Sequence, residues 1–354
     1  MDRIHRNRSL EPTTASRKGA KRYPSPTTQD SQETMTYYQT QLAQVKKEIS
    51  KVVVGQERIV DGLLKGLLAN GHVLVEGIPG TAKTLLVKTL ATTTGCTFKR
   101  VQFTVDLLPT DITGISAYDK TAGFYLVKGP VFSNFLLADE INRGTPKTQS
   151  ALLEAMQEKQ VTIGRETYPL ERPFFVMATQ NPIENIGVFE LPEAQVDRFL
   201  LKLIISYPSL GDEKTIIDRN VDTKPFSEYG IRPILSPQKI LQLQQITKQV
   251  FISDHLKDYI TRLVDATRYP QKYGIGLGRY VDFGASPRAS ISMASAARAE
   301  AMLAGSPYVT DQHIKNIALD TLRHRIMLSY EGLASKMKTE DVINDILSTV
   351  EVIP

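Results

Sequence analysis

A glycine-rich loop between an apolar run and a helical pattern constrains the fold of this chain more than any other feature. The apolar run is His72-Val73-Leu74-Val75-Glu76, the loop is Gly77-Ile78-Pro79-Gly80-Thr81-Ala82-Lys83-Thr84, and the helical pattern begins at Leu85. Glycines let successive backbone N–H groups turn toward one point, and the N-terminus of a helix adds its positive dipole end there. A strand, this loop and a helix in that order predict a phosphate-binding loop.

Two side chains of the loop have predicted chemical roles. Lys83 would place its charge on the β- and γ-phosphates of a nucleotide, and Thr84 would offer its hydroxyl to Mg²⁺. The strict phosphate-loop pattern has glycine where this chain has Ala82, which carries the next smallest side chain. The alternative is an ordinary glycine-rich turn with a surface lysine.

A second segment is predicted to lie against the base of the nucleotide. Val54-Gly55-Gln56 precedes a helical pattern over 57–68 and would cover the adenine with apolar side chains and backbone polar groups. The predicted nucleotide contacts are Val54, Gly55, Gln56, Gly77, Pro79, Gly80, Thr81, Ala82, Lys83, Thr84 and Leu85.

The length and composition favour a soluble protein of two domains with an N-terminal tail. The chain has 354 residues, 41% hydrophobic, and no stretch approaches the length of a membrane span. Its single cysteine, Cys96, excludes an internal disulfide and is typical of a reducing compartment, so we expect a cytoplasmic location. Residues 1–30 carry +4 of the net charge of +5, which leaves a nearly neutral body. Nucleic acid is therefore not the expected partner.

Short apolar runs alternate with helical patterns from residue 36 to residue 209, which predicts a parallel sheet covered by helices. The five runs are Val73–Glu76, Lys99–Thr104, Phe135–Asp139, Phe174–Thr179 and Phe199–Ile205. Two hairpins are predicted as well, one over 114–128 and one over 160–172 around Gly164.

The two ends of the chain have different patterns. Residues 1 to about 35 lack apolar periodicity and are rich in Ser, Thr, Arg and Pro, so we expect a disordered basic tail. Residues 210–234 are polar and are interpreted as a linker. No convincing strand follows Pro208, and Ser236, Ser286 and Thr310 each precede a helical pattern as N-caps. Residues 235–354 are therefore predicted to form a small all-helical domain.

Polar side chains follow two of the predicted strands. Asp139 and Glu140 end the run that starts at Phe135. Asp139 would hold Mg²⁺, directly or through water, and Glu140 would polarise the attacking water as a general base. Asn181 ends the next strand, where its amide can bond both a γ-phosphate oxygen and the water. A solvated acidic turn and an Asn-Pro turn are the alternatives.

Two arginines are candidates for contacts with phosphate. Arg198 precedes the last strand and could reach a neighbouring molecule's γ-phosphate, although a salt bridge to Asp197 or Glu193 explains it equally well. Arg288 lies in the first turn of a predicted helix, where a cation opposes the helix dipole. A residue placed against local preference suggests a function, here a contact from the helical domain to the nucleotide phosphates.

Taken together, these residues resemble the MoxR family of AAA+ ATPases. The matching strings are VVGQE, GIPGTAKT, LLADEINR, ATQNP, LPEAQVDRF, GASPRA and RHRIMLSYEG, in family order over about residues 50–332. The resemblance implies an αβα core with a five-stranded parallel sheet and a helical lid, and Ala82 is usual in this family. It also implies that Arg198 is an arginine finger, that Arg288 is the sensor 2 residue and that the hairpins are pore-facing insertions.

The activity implied by this resemblance is ATP-driven remodelling or maturation of partner proteins, often proteins with von Willebrand A domains. ATP and Mg²⁺ are the implied cofactors, and a homo-oligomeric ring, a hexamer, is the implied assembly. Arg143 is a further arginine that could act in a neighbouring subunit. Two other readings stay open: a DNA-directed AAA+ ATPase, and a scaffold that binds ATP with little turnover. A GTPase is not favoured because the chain has no N-K-x-D string.

Overall fold

The computed structural model describes residues 28–78, 80–121, 123–182, 188–220 and 225–353. Most of the predicted basic tail and Pro79 lie outside these residues. The first helix, α1, covers Thr28–Ile49, so the last residues assigned to the tail, 28–35, are helical instead. Met35 and Leu42 of α1 are buried in the main core, which explains why the helix extends back beyond the predicted boundary.

Five parallel strands form the central sheet, in the order β2-β5-β8-β1-β9. They are β1 (Val73–Gly77), β2 (Phe98–Gln102), β5 (Phe135–Asp139), β8 (Phe175–Gln180) and β9 (Leu201–Ile205). Each strand corresponds to a predicted run, and no strand end differs from the predicted end by more than two residues. The predicted five-stranded parallel sheet is confirmed.

Helices cover both faces of this sheet. Alternate strand residues, including Val75, Leu137 and Met177, share a core with α2 (Glu57–Leu68), α3 (Lys83–Thr93) and the C-terminal helices. The opposite residues, including Leu74 and Leu136, pack with α4 (Pro109–Thr113) and α5 (Pro146–Glu158). The period of two along each strand therefore produces the predicted three-layer αβα core.

Both predicted hairpins are confirmed. The first pairs β3 (Gly114–Asp119) with β4 (Gly123–Lys128), and the second pairs β6 (Gln160–Ile163) with β7 (Glu166–Pro169). The first carries exposed aromatic side chains, with Tyr118 and Phe124 in contact across the two strands.

The C-terminal half is mainly helical but departs from the prediction in two places. The predicted linker contains α7 (Leu210–Asn220) and a 3-10 turn over Phe226–Tyr229. Two short strands, β10 (Val281–Phe283) and β11 (Met327–Leu328), pair antiparallel, so the prediction of an all-helical domain is wrong in that detail. Strands of three and two residues are too short to show a sequence period. The remaining helices are α6 (Glu193–Val196), α8 (Pro237–Gln249), α9 (Asp254–Arg268), α10 (Pro287–Leu303), α11 (Asp311–Leu322), α12 (Tyr330–Ala334) and α13 (Thr339–Thr349).

The three predicted N-caps are also found. The side chains of Ser236, Ser286 and Thr310 accept hydrogen bonds from backbone N–H groups in the first turns of α8, α10 and α11. Across the part of the chain that the structure describes, no helix combines the length and apolar character needed to span a membrane.

Candidate active site at the carboxyl edge of the sheet

The loop after β1 has the backbone shape of an anion-binding turn. Gly80 has φ +81° and Ala82 has φ +56°, so both lie in the left-handed region. This geometry explains why the strict phosphate-loop pattern has glycine at the position of Ala82, because the left-handed region costs a non-glycine residue about 1–2 kcal/mol. Ala82 tolerates the conformation as the N-cap residue of α3. A non-glycine residue held in this conformation at the start of a helix points to a functional constraint.

Side chains of the loop are held by its own backbone. Lys83 is the first residue of α3, and its Nζ donates a hydrogen bond of 2.7 Å to the carbonyl oxygen of Gly77. Thr81 donates to the carbonyl oxygen of Ile78 at 3.0 Å. Thr84 and Leu85 follow in the first turn of α3, both partly buried. The loop therefore curls around the start of the helix, with the lysine beside it.

The predicted adenine segment packs against the chain that follows β9. Gly55 has φ +71°, and a Cβ there would lie 2.6 Å from an Asp212 carboxylate oxygen. Gln56 precedes α2 and donates to the carbonyl oxygen of Ser206 at 3.4 Å. Val54 is partly buried next to them. Residues 54–56 therefore lie beside residues 206–212, a neighbour that the sequence did not predict.

Asp139 ends β5 and is held by two donors. One carboxylate oxygen accepts from the Thr179 hydroxyl at 2.6 Å. The other accepts from Arg100 on β2, at 2.7 Å from Nη2 and 3.1 Å from Nε. Both β5 and β1 are parallel neighbours of β8, so Asp139 and the phosphate loop lie at the same edge of the sheet.

Glu140 directly follows Asp139 in a strained backbone conformation, with φ +55°. Its backbone N–H donates to the Thr179 hydroxyl at 2.8 Å. Its carboxylate accepts from Gln102 on β2 and from Arg143, each at 2.8 Å. A strained backbone of this kind persists only where neighbouring contacts hold it, as Thr179, Gln102 and Arg143 do here.

Asn181 follows β8 at the same edge and is buried. It lines a cavity of about 330 Å³ together with Glu76 of β1 and with Arg323 and His324, which follow α11. The structure thus places the predicted amide between the sheet and the C-terminal helices.

Arg288 lies beside Asp197, the residue that precedes Arg198 in the chain. Arg288 is 3.6 Å from an Asp197 carboxylate oxygen, and Ser286 donates to the same oxygen at 2.8 Å. The other oxygen accepts from the buried Arg325 at 2.6 Å. The Arg198 side chain, in contrast, makes no hydrogen bond or ion pair with any residue that the structure describes. The alternative explanation of Arg198, a salt bridge to Asp197 or Glu193, is therefore not found in the structure.

Sequence reasoning missed Arg100 and Gln102, which contact the two acids of this site, and the pair of Asp197 and Arg325, which holds the segment before β9. Arg100 and Gln102 are two residues apart on β2, so they share the sheet face of Asp139. This spacing of two polar residues in an otherwise strand-like run was a usable signal. Asp197 and Arg325 are 128 residues apart, and their contact required the tertiary fold.

The residues at this edge of the sheet can bind a nucleotide together with Mg²⁺. Carboxylate and hydroxyl oxygens are the ligands that Mg²⁺ prefers, and Asp139 at the end of β5 and Thr84 in the first turn of α3 would supply them. The left-handed loop residues and the N-terminus of α3 provide the donors that a phosphate group requires.

Comparison with known proteins agrees with this geometry. Residues 72–201 match the family described as ATPase family associated with various cellular activities, and residues 278–346 match an AAA lid domain. The first match includes the phosphate loop, both acids and Arg198, and the second includes Arg288. The fold and the site therefore define an AAA+ ATPase with a lid.

Full-length relatives narrow the class further. The chain is 50% identical over 305 residues to Chaperone MoxR1 of Mycobacterium tuberculosis, covering 86% of this chain and 80% of that protein. It is 43% identical to the protein YeaC of Bacillus subtilis, over 88% and 94% of the two chains. A solved structure from Cytophaga hutchinsonii is 45% identical, with a TM-score of 0.86 over 92% of this chain and 99% of that one. The chain belongs to the MoxR family of AAA+ ATPases.

Proposed function

We propose that this protein is an ATP-hydrolysing, ring-forming machine that remodels or matures partner proteins. The observation that carries the proposal is the meeting of the phosphate loop, Asp139, Glu140 and Asn181 at one edge of the sheet. The name of the relative from M. tuberculosis, Chaperone MoxR1, supports the chaperone part.

Each predicted site residue has a separate role in the proposed binding and hydrolysis of ATP. Lys83 and the backbone of 77–85 bind the phosphates, and residues 54–56 cover the adenine. Thr84 and Asp139 hold Mg²⁺, which neutralises charge on the β- and γ-phosphates when it is bound. Glu140 accepts a proton from the attacking water, and Asn181 orients that water against the γ-phosphate.

Arg198 is best explained as acting on a neighbouring subunit, because its side chain has no partner among the described residues. Arg288, which lies 3.6 Å from an Asp197 oxygen, is proposed to reach the nucleotide phosphates from the helical domain. An arginine supplied to the next subunit requires a heterologous interface, which closes into a ring. We infer a hexamer by family resemblance.

Three further assignments belong to this proposal. Residues 36–209 form the nucleotide-binding core and 235–354 the lid, which the matches at 72–201 and 278–346 support. The location is cytoplasmic, as the single cysteine suggests. The clients are proteins, with von Willebrand A domains as the first class to test.

Binding and turnover are tested with two variants. Lys83→Ala should lose binding of a fluorescent ATP analogue, because charge-assisted contacts worth about 1.5–3 kcal/mol each disappear. Lys99→Ala on the edge strand is the matched control. Glu140→Gln should still bind but lose at least ~10²-fold in turnover. Near-normal affinity of Lys83→Ala would remove the phosphate loop from the proposal, and near-normal turnover of Glu140→Gln would remove the general base.

The ring is tested by mixing two inactive variants. Arg198→Ala should bind ATP and lose turnover by up to ~10³-fold or more. Lys83→Ala subunits keep an intact Arg198, so co-assembly should return part of the activity to their Arg198→Ala neighbours. A co-assembled mixture as inactive as its parents, with assembly verified by native mass spectrometry, would argue against a finger in trans.

The other two readings have their own tests. A DNA-directed ATPase predicts salt-dependent DNA binding that the nearly neutral body does not favour. A scaffold predicts negligible turnover, which the presence of Glu140 and Arg198 opposes. Affinity capture with Glu140→Gln as an ATP-bound trap, against Lys83→Ala as the control, would identify clients that depend on the nucleotide.

A further inference from the structure

The Arg100 guanidinium lies against the Asp139 carboxylate, the group that is proposed to hold Mg²⁺. Two of its guanidinium N–H groups donate to the same Asp139 oxygen, at 2.7 and 3.1 Å. This is a charge-assisted contact, in which one carboxylate oxygen accepts from two N–H groups of the same guanidinium. We propose that Arg100 is a positioning residue that competes with the divalent metal for Asp139 and so sets the Mg²⁺ requirement of nucleotide binding. The inference rests on the proposed ATP site.

The position of Arg100 on the sheet allows such competition. It lies on β2, the edge strand, and its side chain is 46% exposed. An arginine at an edge can move into water without disturbing the core. Asp139, in contrast, is fixed by the 2.6 Å bond from Thr179 to its other oxygen. The carboxylate therefore stays in place while the cation opposite it can be exchanged.

The charges oppose simultaneous binding of the arginine and the metal. The same Asp139 oxygen cannot accept two N–H groups of a guanidinium and also coordinate a divalent ion or its bound water with full strength. The two cations would also lie within a few ångströms of each other, where repulsion is incompletely screened. Metal binding is therefore expected to displace Arg100 or weaken its contact.

Displacement of Arg100 has a consequence for Glu140. Arg100 also donates to the side-chain oxygen of Gln102 at 2.6 Å, and the Gln102 amide donates to Glu140 at 2.8 Å. These contacts form one chain from the metal-holding acid to the water-polarising acid. Loss of the Arg100 contact frees the Gln102 amide to rotate, so metal loading is linked to the position of Glu140.

The experiment measures the Mg²⁺ concentration needed for half-maximal binding of a fluorescent ADP analogue. Arg100→Gln removes the charge and should lower that concentration by about two- to fivefold, the size expected for a half-exposed ion pair. Arg100→Lys keeps the charge without the fork and should fall between Arg100→Gln and wild type. Lys99→Gln is the control, since it makes the same charge change on the neighbouring residue, whose side chain points to the other face of β2. A second readout, Mn²⁺ binding followed by electron paramagnetic resonance, should show the same order without turnover.

Two results would overturn the inference. An Mg²⁺ requirement of Arg100→Gln equal to that of Lys99→Gln would show that Arg100 does not compete with the metal. A higher requirement, or weaker binding of the analogue in EDTA, would show that Arg100 instead helps to bind the nucleotide. Melting temperatures of all four proteins separate these outcomes from misfolding. Failure of the wild type to bind the analogue at any Mg²⁺ concentration would reject the ATP site itself, which is a different outcome.

Discussion

Replacement of Arg325 by methionine should destabilise this protein more than any surface substitution, because Arg325 joins the C-terminal helices to the core. Its side chain is 1% exposed, and its Nε donates to Asp197 at 2.6 Å. The remaining acceptors are the carbonyl oxygens of Asp197 (3.2 Å), Phe199 (2.7 Å), Leu200 (3.3 Å) and Thr321, and the Ser292 hydroxyl (3.0 Å). Burial lowers the pKa of Arg325, and the hydrogen bond and charge of the Asp197 carboxylate oppose that shift. The buried guanidinium therefore depends on Asp197 to stabilise its charge.

The magnitude follows from what the substitution leaves behind. Methionine fills the volume of the stem but donates no hydrogen bond, so Asp197 loses its buried partner and several carbonyl groups lose a donor. Breaking a buried charge pair by removal of one partner costs about 3–5 kcal/mol. Asp197 keeps Ser286 and Arg288, which favours the lower half of that range. At roughly 2 °C per kcal/mol for a chain of this size, the melting temperature should fall by about 6–8 °C.

The assay is urea unfolding at equilibrium together with a thermal scan. Arg165→Met in the turn of the second hairpin is the control, because that side chain is exposed and should cost less than ~0.5 kcal/mol. The double variant Arg325→Met with Asp197→Leu completes a double-mutant cycle and should be more stable than Arg325→Met alone, since no partly buried carboxylate is left without Arg325. If Arg325→Met unfolds within 1 kcal/mol of Arg165→Met, the contacts of Arg325 do not hold the lid to the core.

Three further predictions follow from other parts of the structure. Burial lowers the pKa of His72 to about 4, so the folded state keeps the imidazole neutral while the unfolded chain, with a pKa of about 6.5, takes up a proton as the pH falls. Between pH 7 and pH 5, the free energy of unfolding measured in urea should therefore fall by about 2 kcal/mol more for wild type than for His72→Gln. Equal losses would contradict this. Ala82→Val places a β-branched residue at φ +56° and should weaken binding of an ATP analogue, whereas Ala82→Gly should keep the affinity within about twofold; equal affinities would exclude a role for the loop backbone. Gly114→Ala would place a Cβ 2.3 Å from the carbonyl oxygen of Val127, so limited proteolysis should cut the first hairpin faster than in Gly123→Ala, which has open space; equal rates would contradict the clash.

The sequence predicted the parts of the fold that repeat a short period or a short motif. The five strands were visible as apolar runs because a buried parallel strand is apolar on both faces. The phosphate loop and the acid pair were visible because their chemistry is concentrated in a few consecutive residues. The start of α1 at Thr28 was missed, since its burial depends on packing against distant helices. The pairing of β10 with β11 was missed for the same reason, because three and two residues carry no period of their own.

Contacts between distant residues explain the rest of what the sequence did not predict. Arg288 was expected at the phosphates on the basis of its place in a helix, and the structure shows it beside Asp197. That pairing depends on how α10 docks onto residues 197–200, which no local pattern encodes. Likewise Arg100 is an ordinary strand residue in the sequence, and only the register of β2 against β5 brings it to Asp139.

The docking of the lid at Asp197 limits how the two parts of the molecule can move. Arg325, Ser286 and Arg288 all contact Asp197, and Arg325 also binds the carbonyl oxygens of residues 197, 199 and 200. A rotation of the lid must therefore either carry this segment with it or break contacts of a buried arginine, at a cost of about 3–5 kcal/mol. The segment is itself fixed to the core, because Phe199 is fully buried and the Leu200 N–H donates to the carbonyl oxygen of His72 at 2.8 Å. Either movement therefore breaks buried contacts, so Asp197 and Arg325 hold the lid and the core together at this point.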